Sequence, residues 1–74
     1  MQITTKLFAS FRIGRFAAMP QSWPAGATVR QVVDQLGIPE GELGIVLING
    51  RHVELGERLN EGDTLSLFPL VGGG

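Results

Sequence analysis

The C-terminal sequence "FPLVGGG", residues 68–74, is the part of the chain with the clearest potential for chemistry. Its three glycines add backbone freedom without side-chain width. Residues 71–74, when extended, span about 13–14 Å, so they can thread a narrow channel in another protein. Such a tail would deliver the α-carboxylate of Gly74, which is anionic at neutral pH and must be activated, for example as an acyl-adenylate, before a nucleophile can attack it. The alternative is a tail with no role.

Side chains that could form an active site are scarce. The chain has no cysteine, which excludes disulfides, cysteine-ligated metals and a thiol nucleophile. The only histidine, His52, follows a predicted turn and is expected to lie on the surface. The carboxylates in and beside the turns are expected to form a solvated face: Glu54, Glu57, Glu61 and Asp63. Because no nucleophile, base and orienting group occur together, we expect neither catalytic residues nor a metal site, and we expect a protein that is not an enzyme.

Length and charge narrow the class of protein further. The chain has 74 residues, enough for one small domain, and a formal net charge of −1. It has no basic excess that would favour nucleic acid or anionic lipid. The N-terminal segment "MQITTKLFAS" alternates polar and apolar residues, unlike a signal peptide, and no apolar run approaches the roughly 20 residues of a membrane span. Together with the missing cysteines, this predicts a cytoplasmic protein.

One helix is predicted strongly, by the segment "TVRQVVDQLGIP". Its apolar positions lie at i, i+3, i+4 and i+7 and form one stripe: Val29, Val32, Val33 and Leu36. Thr28 is the expected N-cap, with Gln31 completing a capping box. Gly37 stands where a left-handed C-cap is favoured, and Pro39 prevents continuation.

Strands are predicted on both sides of this helix. They cover residues 3–9, 16–23, 43–49, the segment "RHVEL" and residues 64–68, and "Asn49-Gly50" predicts a type I′ hairpin turn. Pro20 confines the second strand to an edge of the sheet, since proline cannot donate a ladder hydrogen bond. One helix must cover one face of a mixed sheet of four to five strands, which predicts a two-layer α+β domain. We expect the domain to cover residues 1–70 and a flexible tail to cover residues 71–74.

Two aromatic residues are predicted to lie on the face of this sheet that the helix does not cover. Phe8 alternates with Thr4 and Lys6, and Phe68 shares its phase with Ser66. Both should point away from the helix if Leu7 and Leu67 face it. The run "IVLI" is apolar on both phases, so part of it must also face outward. An exposed apolar patch of this kind is typical of a partner surface, unless loops or the tail cover it.

The chain resembles the MoaD/ThiS family of sulfur carriers, which have the ubiquitin-like β-grasp fold. The resemblance rests on "KLFASFR", the capped helix, the hairpin "VLINGRHV" and above all "GDTLSLFPLVGGG" with its diglycine end. It implies that a ubiquitin-activating-type adenylyltransferase uses ATP to adenylate Gly74, and that a sulfur donor then converts this residue to a thiocarboxylate (1-thioglycine). The carrier would pass the sulfur to a MoaE-like or ThiG-like synthase, without binding a cofactor itself.

The resemblance also implies which residues meet these partners. Gly73 and Gly74 match the diglycine that is adenylated and thiocarboxylated. Phe68 matches a partner-contacting aromatic, and Phe8 matches an aromatic of the first strand on the same surface. Leu70 and Val71 would lead the tail toward the partner, and Lys6 lies on the same face as Phe8.

The pathway is left open by departures from the family pattern. The MoaD branch usually has Pro-Pro after the aromatic, whereas this chain has Pro69-Leu70, and residue 72 is a third glycine. "FPLV" favours molybdopterin- or tungstopterin-type cofactor synthesis over thiamin synthesis. Two other functions fit the same tail and fold: a ubiquitin-like modifier that is joined to lysines through Gly74, and a plain β-grasp binding module.

Overall fold

The computed structural model describes residues 1–71, which form one mixed β-sheet with an α-helix on one face. The strands are β1 (Gln2–Leu7), β2 (Ala18–Ser22), β3 (Leu43–Ile48), β4 (Arg51–His52) and β5 (Thr64–Pro69), and the helix is α1 (Val29–Leu36). Two short 3-10 helices cover Ala9–Arg12 and Glu40–Glu42. The predicted carrier residues Gly73 and Gly74 lie outside the described residues. No helix within residues 1–71 combines the length and apolarity needed to cross a membrane.

Helix α1 has the ends that the sequence predicts. The Thr28 hydroxyl accepts a hydrogen bond from the Gln31 backbone N–H, and the Gln31 side-chain carbonyl accepts one from the Thr28 N–H. Gly37 closes the helix in the left-handed region, at φ 72°. Val29, Val32 and Val33 are buried against the sheet. The helix is therefore fixed by local capping at both ends and by one apolar stripe in between.

The sheet has the strand order β2-β1-β5-β3-β4. Strands β1 and β5 are parallel, and every other pair is antiparallel. The edge position predicted for β2 is confirmed, and the last strand, β5, occupies the centre. The apolar phases of β1 and β5 face the helix, since Ile3, Leu7, Leu65 and Leu67 are all at most 2 % exposed.

Strand β4 is shorter than the predicted "RHVEL": after a last bond from the Val53 N–H to the Val46 carbonyl of β3 (3.2 Å), the chain turns to the start of the helix. The Val29 N–H donates to the Glu57 carbonyl (3.0 Å), and the Arg30 N–H donates to the Leu55 carbonyl (2.9 Å). The first N–H groups of a helix have no partner within it. The segment after β4 supplies acceptors for two of them and cannot continue along β3.

Candidate functional site

The outer face of the sheet, the side away from α1, holds the aromatic residues that the sequence singled out. Lys6 pairs with Ala18 on one side and with Ser66 on the other, and Ser66 pairs with Leu47. Paired residues of adjacent strands lie on the same side of a sheet. One row therefore runs across the outer face through Lys6, Ser66 and Leu47, and the next row toward the C-terminal end of β5 contains Phe68 and Ile45.

Phe8 and Phe68 form an aromatic stack in that next row. Their ring centroids lie 4.1 Å apart, and the ring planes differ by 10°. Both side chains are half-buried, because each ring covers one face of the other. The structure confirms that both point away from the core. Their sequence separation is 60 residues, so the contact depends on the parallel pairing of β1 with β5.

Arg12 is a member of this site that the sequence reasoning missed. Its guanidinium carbon lies 5.5 Å from the Phe8 ring centroid, a cation–π distance, and its Nε donates to the Leu7 carbonyl at 2.8 Å. The 3-10 helix Ala9–Arg12 brings it there, after a turn at Ala9 (φ 51°). The same helix buries Phe11, which is 3 % exposed. In the sequence, Arg12 follows Phe8 by four residues. That spacing brings the two side chains together only if the residues between them form a helical turn.

The apolar surface around the stack comes from strand β3. Ile45 is 41 % exposed and Leu47 is half-buried, whereas Val46 and Ile48 lie on the helix side. The expectation that one phase of the run "IVLI" faces outward is confirmed. His52, which pairs with Leu47, is exposed at the border of this surface.

The start of the tail leaves the sheet beside this surface. Leu70 is 60 % exposed and Val71 is 91 % exposed. The last strand was predicted to cover residues 64–68, whereas the Leu70 N–H also donates to the Glu42 carbonyl, at 2.9 Å. The ladder therefore extends one residue past the proline and directs the chain from Phe68 toward Val71.

Gly44 makes this exit possible. A β-bulge places two residues of β3 against one residue of β5, since Leu43 pairs with Pro69 and Ile45 pairs with Phe68. A Cβ atom at Gly44 would lie 2.6 Å from the Pro69 carbonyl oxygen and 2.9 Å from its carbonyl carbon. Both contacts are with backbone, which cannot rotate away. Gly44 is thus required by close approach of the C-terminal segment.

Gly44→Ala is expected to destabilise the fold by about 1–3 kcal/mol, the usual range for an added group without space. The strain falls on the Pro69–Leu70 backbone, so the Leu70 amide should lose its protection from hydrogen exchange. Chemical denaturation and exchange measured by NMR test both effects. Gly56→Ala is the matched control, because nothing lies within 4 Å of its added Cβ and Gly56 does not have a positive φ. Equal stability of the two variants would contradict the steric role of Gly44.

The charges at the outer face are positive. Lys6 and Arg12 lie on it, while the two salt bridges of the described chain, Arg30–Glu40 and Arg51–Glu57, join other exposed side chains. Within residues 1–71, no three histidine or carboxylate side chains are arranged to hold a metal ion. This surface is suited to binding: it combines apolar area, a stacked aromatic pair and a cationic border next to the exposed residues Leu70 and Val71.

Several solved structures share this fold and much of its length. A Pyrococcus furiosus protein described as subunit 1 of a molybdopterin-converting factor is 27 % identical, with 96 % of this chain and 99 % of that chain covered and a TM-score of 0.79. SAMP1 from Haloferax volcanii is 28 % identical, with both chains covered completely and a TM-score of 0.77.

A structure from Helicobacter pylori, a complex of subunits 1 and 2 of the molybdopterin-converting factor, matches at 20 % identity over the whole of both chains with a TM-score of 0.69, which supports the fold. Among curated protein sequences, none gives a significant match. The model of the ThiS family matches residues 6–74, which include every strand and the helix apart from the first few residues of β1. With the β-grasp fold seen here, this match shows that the chain belongs to the ThiS family of ubiquitin-like proteins.

Proposed function

We propose that this protein is a sulfur carrier whose C-terminal Gly74 is adenylated by a partner enzyme and then converted to a thiocarboxylate. The observation that carries this proposal is the position of the half-buried aromatic stack of the outer face directly beside the start of the tail. Phe68 belongs to the stack, and the chain three residues later, at Val71, is 91 % exposed. A docking surface and the first residues of the tail therefore adjoin each other.

The docking surface and the tail have different roles in this mechanism. Phe8, Phe68 and the apolar residues around them hold the carrier on its partner, with Lys6 and Arg12 at the border. Leu70 and Val71 lead the tail into the partner's active site, and Gly73 and Gly74 are thin enough to enter a narrow channel. The Gly74 carboxylate attacks the α-phosphate of ATP, which releases pyrophosphate and forms an acyl-adenylate. A sulfur nucleophile then displaces AMP at the carbonyl carbon.

The carrier supplies no catalytic side chain of its own in this scheme. ATP is bound by a ubiquitin-activating-type adenylyltransferase, and the sulfur is accepted by a synthase, MoaE-like or ThiG-like. We favour a molybdopterin- or tungstopterin-type pathway over thiamin synthesis. The similarity to the P. furiosus protein described as a molybdopterin-converting factor subunit supports this choice, and the H. pylori complex shows such a subunit assembled with a second one.

Co-expression with the adenylyltransferase from the same genome, followed by intact-mass measurement, tests the proposal. We expect a population whose mass has increased by the replacement of one oxygen with sulfur, located by fragmentation at Gly74. The same strain without the adenylyltransferase is the control. Absence of any thiocarboxylate when acyl-adenylate forms would argue against sulfur transfer, and absence of both would argue against activation of this tail.

A second candidate function is that of a protein modifier. It is favoured by the similarity to a Haloferax volcanii structure described as small archaeal modifier protein 1, which is 27 % identical and of which 98 % is covered. The same activation would precede transfer of Gly74 to a lysine of another protein. Isopeptide-linked adducts in a pull-down under denaturing conditions would distinguish this function from sulfur transfer alone.

A further inference from the structure

The chain is unusual in carrying its positive charge almost entirely on arginine. Its six basic side chains comprise five arginines and one lysine, Lys6. An arginine guanidinium stays protonated in proteins and is not acylated under neutral conditions, whereas a lysine amine is a nucleophile once it loses its proton. Lys6 is therefore the only side-chain amine of this protein that an activated carboxyl group can attach to.

The presence of a single lysine matters because the proposed function creates an activated carboxyl group that lysine amines can attack. A lysine nitrogen that attacks the Gly74 acyl-adenylate forms a C–N amide bond, the C–O bond to AMP breaks, and the amine loses a proton. This reaction competes with sulfur for the activated carbon and needs no component beyond the ATP and adenylyltransferase already invoked. A carrier with many lysines would offer many sites for such loss, whereas this chain offers one.

The structure places that one amine on the outer face, at the border of the apolar surface. Lys6 lies on β1 two residues before Phe8, and its paired neighbours Ala18 and Ser66 have small side chains. Its side chain is exposed, and within residues 1–71 it takes part in no salt bridge or side-chain hydrogen bond. A partner that covers the aromatic stack must also cover or closely flank Lys6.

We propose that Lys6 is the single side-chain acceptor on this protein for an activated glycine carboxyl, and that docking through the outer face shields it. Attachment at Lys6 and docking of the same molecule then exclude one another. Free copies can be acylated at Lys6, and a copy so modified can no longer be loaded. The inference rests on the proposed function, and the first of its two tests does not depend on any partner enzyme.

The first test supplies the activated carboxyl chemically. The donor is the full chain carrying Lys6→Arg and a C-terminal thioester at Gly74, made by cleavage of an intein fusion. The acceptor is isotopically labelled full chain, either unaltered or Lys6→Arg. We expect a linked dimer whose branch maps to Lys6 of the unaltered acceptor and no branched side chain with Lys6→Arg. The Met1 α-amine, which donates to the Trp23 carbonyl at 2.7 Å, serves as the internal reference. Acylation of Met1 alone would overturn the assignment of Lys6.

The second test measures shielding with the adenylyltransferase that loads the protein. An acetylating succinimidyl ester is applied to the full chain with and without excess enzyme, and acetylation of Lys6 is followed by peptide mass against Met1. Acetylation of Lys6 should slow about tenfold when about nine-tenths of the chain is bound, because only the free fraction reacts. Equal rates would refute shielding. Failure of the enzyme to load the chain at all would instead count against the proposed function, and leaves the result of the thioester test standing.

Discussion

Removal of Gly74 is expected to abolish loading of the carrier while leaving the free energy of unfolding unchanged. The shortened chain still ends in a glycine carboxylate, but that carboxylate is withdrawn by about 3.3–3.6 Å, the length of one extended residue. Misplacement of a reacting group by about 1 Å can lower a rate by about 100-fold. We therefore expect adenylation, measured by ATP–pyrophosphate exchange, to fall by at least that factor.

The free energy of unfolding is expected to stay unchanged because the core does not include the tail. The buried apolar residues run from Ile3 to Leu67, and none lies beyond β5 among the described residues. Thermal unfolding of the deletion variant should therefore match that of the full chain. Gly74→Ala is the matched variant, because it keeps the length and the carboxylate and adds only one methyl group. If it is as inactive as the deletion, the width of the channel is decisive; if the deletion remains fully active, the mechanism through Gly74 is wrong.

Phe68→Ser is expected to weaken binding to the adenylyltransferase by tenfold or more. Aromatic side chains at the centre of an interface commonly contribute about 2 kcal/mol or more, and about 1.4 kcal/mol corresponds to a factor of ten in affinity. The substitution removes the ring stacked 4.1 Å from Phe8, so it also lowers the free energy of unfolding by about 1 kcal/mol, the typical worth of an aromatic pair. Calorimetric titration and chemical denaturation measure the two effects separately.

Met19→Ser provides the control for this loss of an exposed apolar side chain. Met19 is 41 % exposed on β2, and it pairs with the buried Thr5, which places it on the helix side of the sheet. Its replacement should leave affinity unchanged. A larger fall in stability than in binding free energy for Phe68→Ser would show that the stack serves the fold rather than the partner. Equal loss of binding in both variants would mean that docking uses another surface.

The helix could be predicted residue by residue because its determinants are local. The caps at Thr28 and Gly37 each act within about one turn of the chain, so the sequence contains both members of each capping interaction. The apolar stripe between them is a spacing pattern of this one segment, although its contacts are with the sheet. The alternation of β1 and β5 was equally informative, since it placed Phe8 and Phe68 on the outer face from phase alone. Asn49 and Gly50 adopt the two positive φ angles, 52° and 81°, that the turn requires.

Other features of the site arise from contacts between distant residues. The Asn49 side chain also forms two hydrogen bonds with the start of β5. Its amide donates to an Asp63 carboxylate oxygen at 2.9 Å, and its carbonyl accepts from the Thr64 N–H. Asp63, expected to be solvated, is buried by this contact and is only 8 % exposed. A turn motif gives no sign of its partner 14 residues away, because that partner is chosen by strand order.

The sequence by itself determined the helix, the phases of the strands, the scarcity of catalytic groups and the glycine-rich end, since each depends on residue type and short-range spacing. The tertiary structure decided which strands are neighbours, and hence the stacking of Phe8 on Phe68 and the crowding that requires glycine at residue 44. Both contacts join segments that meet only when β5 is inserted between β1 and β3. The position of Arg12 over Phe8 depends instead on the 3-10 turn between them. No local pattern predicts this strand order. The insertion of β5 buries the apolar face of the whole sheet, so its cause lies in all the strands together and not in any one segment.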